Sequence, residues 1–233
     1  MLKEEKIFST YLDGLEYSIL NENGNRSAER TNLLHQGIVE FFFDQLSLSH
    51  DDWVIKHEER VPCARSTKQE GKKTFSIDIT FTHIETNVNV RILFKGIEKS
   101  YNKNRENFAN TTIGETQRLH GRSPLFGTSL KEQRANDITV FFTILPERVL
   151  LGKKAEVTKY TKPHIDDLRD LHRHTHQVCS ILECNGGFST LEEFSTSLTG
   201  NVLNNQEVYD NMEEIGENIN ENIRTVRLRK QSI

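Results

Sequence analysis

The chain has 233 residues, with 30 Lys and Arg against 34 Asp and Glu and a net charge of −4. That length suits one large domain with a real core, and the net charge does not mark the whole surface as a nucleic-acid binder. No apolar run approaches the roughly 20 residues that cross a bilayer. The segment Met1-Leu2-Lys3-Glu4-Glu5-Lys6 lacks a signal-peptide core, so a soluble cytoplasmic protein without membrane contact is expected. Cys63, Cys179 and Cys184 are an odd number without framework spacing and read as reduced thiols.

Residues 1–29 read as a helical or irregular lead-in, with a turn over Asn21–Asn25. A helix follows from Thr31, striped by Leu33, Leu34, Ile38, Phe41, Phe42 and Leu46. Trp53 to Val61 reads as a strand stopped by Pro62, and Cys63 to Lys73 as a polar loop. Two alternating runs come next. In Thr74–Phe81, Phe75, Ile77, Ile79 and Phe81 are expected on one face and Asp78 on the other. In Val88–Lys95, Val90, Ile92 and Phe94 share a face, and Arg91, Leu93 and Lys95 the opposite one. The short polar linker predicts a hairpin that brings Asp78 and Lys95 together.

A polar helix is predicted from Tyr101 to Leu119, ended by Gly121 and Pro124. Ile138–Leu145 is apolar almost throughout and reads as a central strand buried on both faces. His164 to His176 reads as helix, Val178 to Glu183 as strand, and Thr190 to Leu198 as helix with a Thr190/Glu193 capping box. From Glu207 to Arg227, Val208, Met212, Ile215, Ile219 and Ile223 recur at helical spacing. That stripe is a candidate dimer surface, packing on the chain's own core being the commoner fate. The order predicts one α/β domain over 1–233, a mixed central β-sheet flanked by helices. Its core covers about 31–185, with a helical extension over about 188–233.

With these residues in place, the chain resembles the PD-(D/E)XK nuclease superfamily, particularly type II restriction endonucleases, over about residues 31–147. Asp78 matches the family's first acid and Lys95 its lysine. The resemblance implies a restriction-endonuclease-like core. It also implies a Mg²⁺-dependent, sequence-specific endonuclease on double-stranded DNA, working as a homodimer. The polar stretch Lys99–Asn107, with Gly114-Glu115 after it, looks like the helix that follows the lysine strand. Lys99, Ser100, Asn102, Lys103, Asn104, Arg105, Asn107 and Arg118 are the candidate DNA contacts, carrying groups that bind phosphates and base edges.

The chain departs from the family at position 93, where the acid of the D/E-x-K tripeptide is a leucine. Some restriction endonucleases move that acid onto the following helix. At about 100° per residue, Glu115 falls in one sector with Tyr101, Phe108 and Leu119, so an acid interrupts an apolar face. Gly114 beside it would permit close backbone approach. Glu59 interrupts the face formed by Trp53, Ile55, His57 and Val61, and Glu40 is a third candidate. Asp78 and Glu115 are the expected metal ligands, and Asp78, Lys95 and Glu115 or Glu59 the catalytic set. The rival expectation is a catalytically degenerate DNA-binding or interaction protein on the same fold. His172, His174, His176, Cys179 and Cys184 fit no common zinc spacing, and three histidines at alternate helical positions would diverge.

Overall fold

A computed structural model describes residues 28–63, 74–96, 101–121, 130–150, 165–185, 193 and 196–232. Within the second helix, side chains are described from residue 110 onward. The described elements are α1 (Ala28–Leu46), β1 (Trp53–Pro62), β2 (Thr74–His83), β3 (Asn89–Gly96), α2 (Tyr101–His120), α3 (Leu130–Gln133), β4 (Ile138–Pro146), α4 (Ile165–Leu171), β5 (Thr175–Cys184), β6 (Leu198–Val202) and α5 (Asn205–Gln231). Short 3₁₀ turns lie at His50–Asp52 and Glu147–Leu150.

Six strands form one sheet in the order β1-β2-β3-β4-β5-β6. β1, β2 and β3 run antiparallel, β3 to β4 and β4 to β5 parallel, and β5 to β6 antiparallel. Each parallel step needs a crossover, which α2 and α4 supply. The α/β expectation holds: a mixed sheet with helices on both faces.

The faces are separated by alternation along the central strands. Val90, Ile92, Ile138, Val140, Phe142 and Ile144 join the main core with α1 and α5. Leu93 and Phe141, the odd residues between them, pack instead with Leu119 of α2. β4 is buried at every position, which explains its unbroken apolar run. α1 buries Leu34, Ile38, Phe41 and Phe42, whereas Leu33 stays exposed. Phe42 stands edge-on to Phe81 and Phe142.

Two expectations change. The His164–His176 helix ends at Leu171, and Thr175 and His176 already belong to β5. Pairing with β4 decides this, because Thr139 faces Thr175 and Val140 faces His176. Leu198, expected to close a helix, opens β6, where Cys184 of β5 pairs with it. Most of the Thr190–Leu198 prediction lies outside the described residues, as do the lead-in, the Cys63–Lys73 loop beyond Cys63, and the Asn185–Gly187 turn beyond Asn185. The Val208–Ile219 stripe of α5 packs inside the main core, the commoner of its two expected fates, and so is not available as a dimer surface. Among the described residues, no helix is long and apolar enough to cross a membrane.

The histidines do approach one another, as a buried layer. His120 and His172 stack with centroids 3.6 Å apart, and His172 meets His174 edge-on. Each has an ordinary partner at one ring nitrogen: His120 Nε2 on Thr139 Oγ1, His172 Nε2 on the Arg134 carbonyl, and His174 Nδ1 on Asn218 Oδ1, while His120 Nδ1 has none among the described residues. Burial holds His120, His174 and His176 below the usual histidine range, so they are neutral. Among the described residues, they form no metal-ligating group with Cys179 or Cys184.

Candidate active site

β1 and β2 pair with residue numbers summing to a constant, His57 opposite Ile79 and Glu59 opposite Ile77. That register puts Glu58 opposite Asp78, yet the two make no ladder pair. Glu58 has φ 50°, a left-handed backbone that a non-glycine residue rarely holds in mid-strand. The sheet changes phase at this point. Trp53, Ile55, Ile79 and Phe81 lie in the main core with α1. Val61, Phe75 and Ile77 lie in the second cluster with Leu93, Leu119 and Phe141. The four alternating residues of β2 therefore do not share one face, contrary to the sequence pattern.

The same point is where β2 leaves β3. Their ladder runs from Thr82↔Asn89 to Ile79↔Ile92 and stops. Asp78 comes next, opposite Leu93. Its Oδ2 accepts the backbone N–H of Phe94 at 2.7 Å, so a carboxylate takes the place of a strand carbonyl. The splayed strands open a cleft of about 410 Å³. Asp78, Leu93, Lys95, Glu115 and Arg118 line it, with hydroxyls of Thr74, Ser76, Thr111 and Thr112 around them. Three of the four predicted catalytic residues and one predicted DNA contact thus meet in one place.

Glu115 reaches the cleft from α2, whose end is firmly tied. Arg134 donates to the Leu119 carbonyl at 2.5 Å and the Pro62 carbonyl at 2.7 Å, joining the last turn of α2 to the end of β1. Gly114 does not serve the close backbone approach that was expected. Among the described residues, a Cβ placed there would meet nothing within 4 Å, so no described neighbour requires a glycine. Gly114→Ala should stabilise the protein by about 0.5–1 kcal/mol, the usual helix-interior difference. Urea unfolding measures it, and a loss of stability would show that the chain needs the glycine's backbone freedom.

The electrostatics are those of crowded acids. Burial pushes Asp78 up to about 6, with the Phe94 N–H pulling down and the Glu58 charge pushing further up. Burial, then the Asp78 charge, push Glu115 up to about 7, while Lys95 and Arg118 pull the other way. A folded-state pKa above the unfolded value means that the ionised carboxylate opposes folding. For Glu115 this penalty is absent below about pH 4.5, grows towards pH 7, and is complete above it. Glu115→Gln should therefore exceed wild type in metal-free stability above pH 7 by about 2 kcal/mol after allowance for solvent screening, or roughly 4–8 °C in Tm. The gap should close as pH falls to about 4.5. Melting curves from pH 4 to 8 test this, and a gap independent of pH would contradict it.

Glu59 is elsewhere. Its Oε1 takes Lys56 Nζ at 2.8 Å and its Oε2 takes Arg91 Nη1 at 3.2 Å. Burial alone would raise its pKa, but hydrogen bonds from Lys56 and Thr80 and the Arg91 and Lys56 charges hold it below the ordinary range. It is a structural ion-pair member outside the cleft lining. Glu40 lies on a half-exposed face, 3.8 Å from His50. Lys99 and Ser100 lie outside the described residues. Asn102, Lys103, Asn104, Arg105 and Asn107 lie on the first half of α2, their side chains outside the described set.

Sequence reasoning missed two residues beside Asp78. One ring nitrogen of His35 and one carboxylate oxygen each from Glu58 and Asp78 all lie within 4.8 Å of one another. His35 is one turn from Ile38 on the buried side of α1, so a titratable residue in the apolar stripe was a usable signal. Glu58 gave none, because strand alternation assigns it to the other face. The donor set at the cleft fits a divalent cation: hard carboxylate oxygens carry raised pKa values that a dication would relieve.

No protein-family model, curated protein or solved structure matches this chain.

Proposed function

We propose that the protein is a divalent-cation-dependent phosphodiester hydrolase, an endonuclease that cuts double-stranded DNA in the cleft between β2 and β3. One observation carries the reading. Asp78 is pinned on the Phe94 N–H at the strand split, and Lys95 and Glu115 line the same cleft. Acids for a cation and a lysine for anionic charge are what phosphodiester hydrolysis asks of a protein.

The roles follow from position. Asp78 and Glu115 hold the cation, for which magnesium is the simplest occupant. A bound dication would polarise the phosphate and acidify a water. Lys95 orients the attacking water and offsets charge on the phosphate oxygens, and Arg118 with the threonine hydroxyls of α2 contacts the backbone. Leu93 lines the cleft and packs against Val61, Ile77, Leu119 and Phe141, so the usual acid position offers no oxygen and Glu115 supplies the carboxylate from the helix. A palindromic site would require a two-fold dimer formed by a surface other than the buried stripe of α5.

The second reading, a non-catalytic DNA-binding protein, is favoured by Leu93 itself. A plasmid digest with Mg²⁺, with and without chelator, separates the two. Discrete fragments support a site-specific enzyme and a smear a nonspecific one. A gel shift without cutting supports the second reading and ends the first. Lys95→Ala should lower the single-turnover rate about 10²-fold or more while changing DNA affinity little. A loss wholly in affinity would make Lys95 a phosphate clamp.

A further inference from the structure

We infer that Asp78 serves two cation positions, and that the second, built from His35, Glu58 and Asp78, takes a first-row transition cation in preference to magnesium. The inference deepens the proposed hydrolase reading but is tested without nucleic acid. Asp78 stands where elements from both faces of the sheet converge. Glu115 comes from α2 on one face, and His35 from α1 on the other. Glu115 is not part of the three-residue set; Asp78 is common to it and to the cleft.

Two observations point to a ligand. First, the three donor atoms lie within 4.8 Å of one another, the spread of groups that share one ion at about 2.0–2.4 Å. Second, His35 is only 2% exposed, and among the described residues its Nδ1 has no hydrogen-bond partner. Leaving a buried polar nitrogen unmet costs about 1–3 kcal/mol, so such a group needs an explanation. Stacking on His57 at 6.0 Å accounts for the ring's packing but not for that nitrogen. Glu58 itself keeps a left-handed φ in mid-strand, and Ser76 Oγ donates to its Oε2 at 3.2 Å, holding the carboxylate in place. Strain of that kind costs on the order of 1–3 kcal/mol and persists where the surroundings over-determine it.

The donor set selects the ion. Magnesium favours all-oxygen octahedra and keeps most of its waters. An imidazole nitrogen with two carboxylates suits a first-row transition cation better, manganese included. The cleft side of Asp78, with Glu115, presents oxygens alone.

Manganese titrated into the full chain is the probe, followed by calorimetry and by pulsed EPR, which detects an imidazole ¹⁴N bound to the ion. Wild type should bind Mn²⁺ at least about 10-fold more tightly than Mg²⁺ and show ¹⁴N modulation. His35→Phe keeps the ring volume and should abolish both the modulation and the manganese advantage, leaving Mg²⁺ binding nearly unchanged. Glu58→Gln alters an exposed residue and should weaken Mn²⁺ about 10-fold with the fold intact. Glu115→Gln should leave the ¹⁴N signal in place. Should His35→Phe fail to fold, His57→Phe serves instead: its retained signal assigns the nitrogen away from His57. Absence of Mn²⁺ binding, bound Mn²⁺ without ¹⁴N coupling, or unchanged affinity in Glu58→Gln would each overturn the inference. A chain that binds Mn²⁺ through His35 but cuts no DNA would overturn the hydrolase reading alone.

Discussion

Asp78→Asn is expected to lower the single-turnover cleavage rate by about 10³-fold or more while leaving the metal-free fold at least as stable as wild type. Asparagine keeps an oxygen that can accept the Phe94 N–H, the bond that anchors this residue at 2.7 Å. It discards the charge proposed to hold a cation. The sign of the stability change follows from linkage. The Asp78 carboxyl titrates near pH 6 in the fold and near 3.8 outside it, so its ionised form opposes folding, fully so above pH 6. The asparagine variant should therefore gain most at pH 7–8 and nothing below about pH 3.8. Asp78→Ala differs in a useful way. It relieves the same charge but strands the Phe94 N–H in a half-buried place, so it should be about 1–3 kcal/mol less stable than the asparagine variant. The pair separates chemistry from scaffold: inactivity in both, with the alanine variant the less stable of the two, assigns the carboxylate a chemical role. An asparagine variant that cuts at the wild-type rate removes Asp78 from the site.

The largest effect on stability is expected at Asp137. Its Oδ2 takes Arg91 Nε and Nη2, both at 3.0 Å, and its Oδ1 takes Asn89 Nδ2 at 2.9 Å. Arg91 also reaches Glu59, so one buried guanidinium links β1, β3 and the entry to β4. Asp137→Ala leaves a buried cation under-compensated and should cost about 3–5 kcal/mol by urea unfolding. The double change Arg91→Met with Asp137→Leu removes both charges and should cost far less. A single alanine variant losing under about 1 kcal/mol would show that the network is not what joins these strands. Because β3 carries Leu93 and Lys95, the network also fixes the cleft, and the single variant should lose activity at temperatures where it still folds.

Much of the frame was legible in the chain. Period-two alternation found β1, β2 and β3, and the unbroken apolar run of Ile138–Leu145 marked a strand covered on both sides. Leu34, Ile38, Phe41 and Phe42 found α1, and the spacing from Val208 to Ile219 found α5. These signals are local, set by which side of one element is dry. The meeting of Asp78 with Lys95 follows from the hairpin, and Glu115 was reachable through the cost of placing an acid on a helix's apolar face.

Tertiary structure alone decided the rest. Phe75, Ile77, Ile79 and Phe81 look the same on either side of the phase change at Asp78, because α1 buries one face of the sheet and α2 the other. An apolar side chain satisfies both, so the pattern carries no mark of the switch. That switch moves Glu59 into an ion pair with Arg91 and brings Glu58 to Asp78 and His35. His174 and His176 left the helix for a turn and a strand because β4 offered a ladder, a partner more than thirty residues away in sequence. What the sequence determined by itself was which residues are dry and which carry charge. Which charges meet was settled by strand register and by the single residue at which that register's facing reverses.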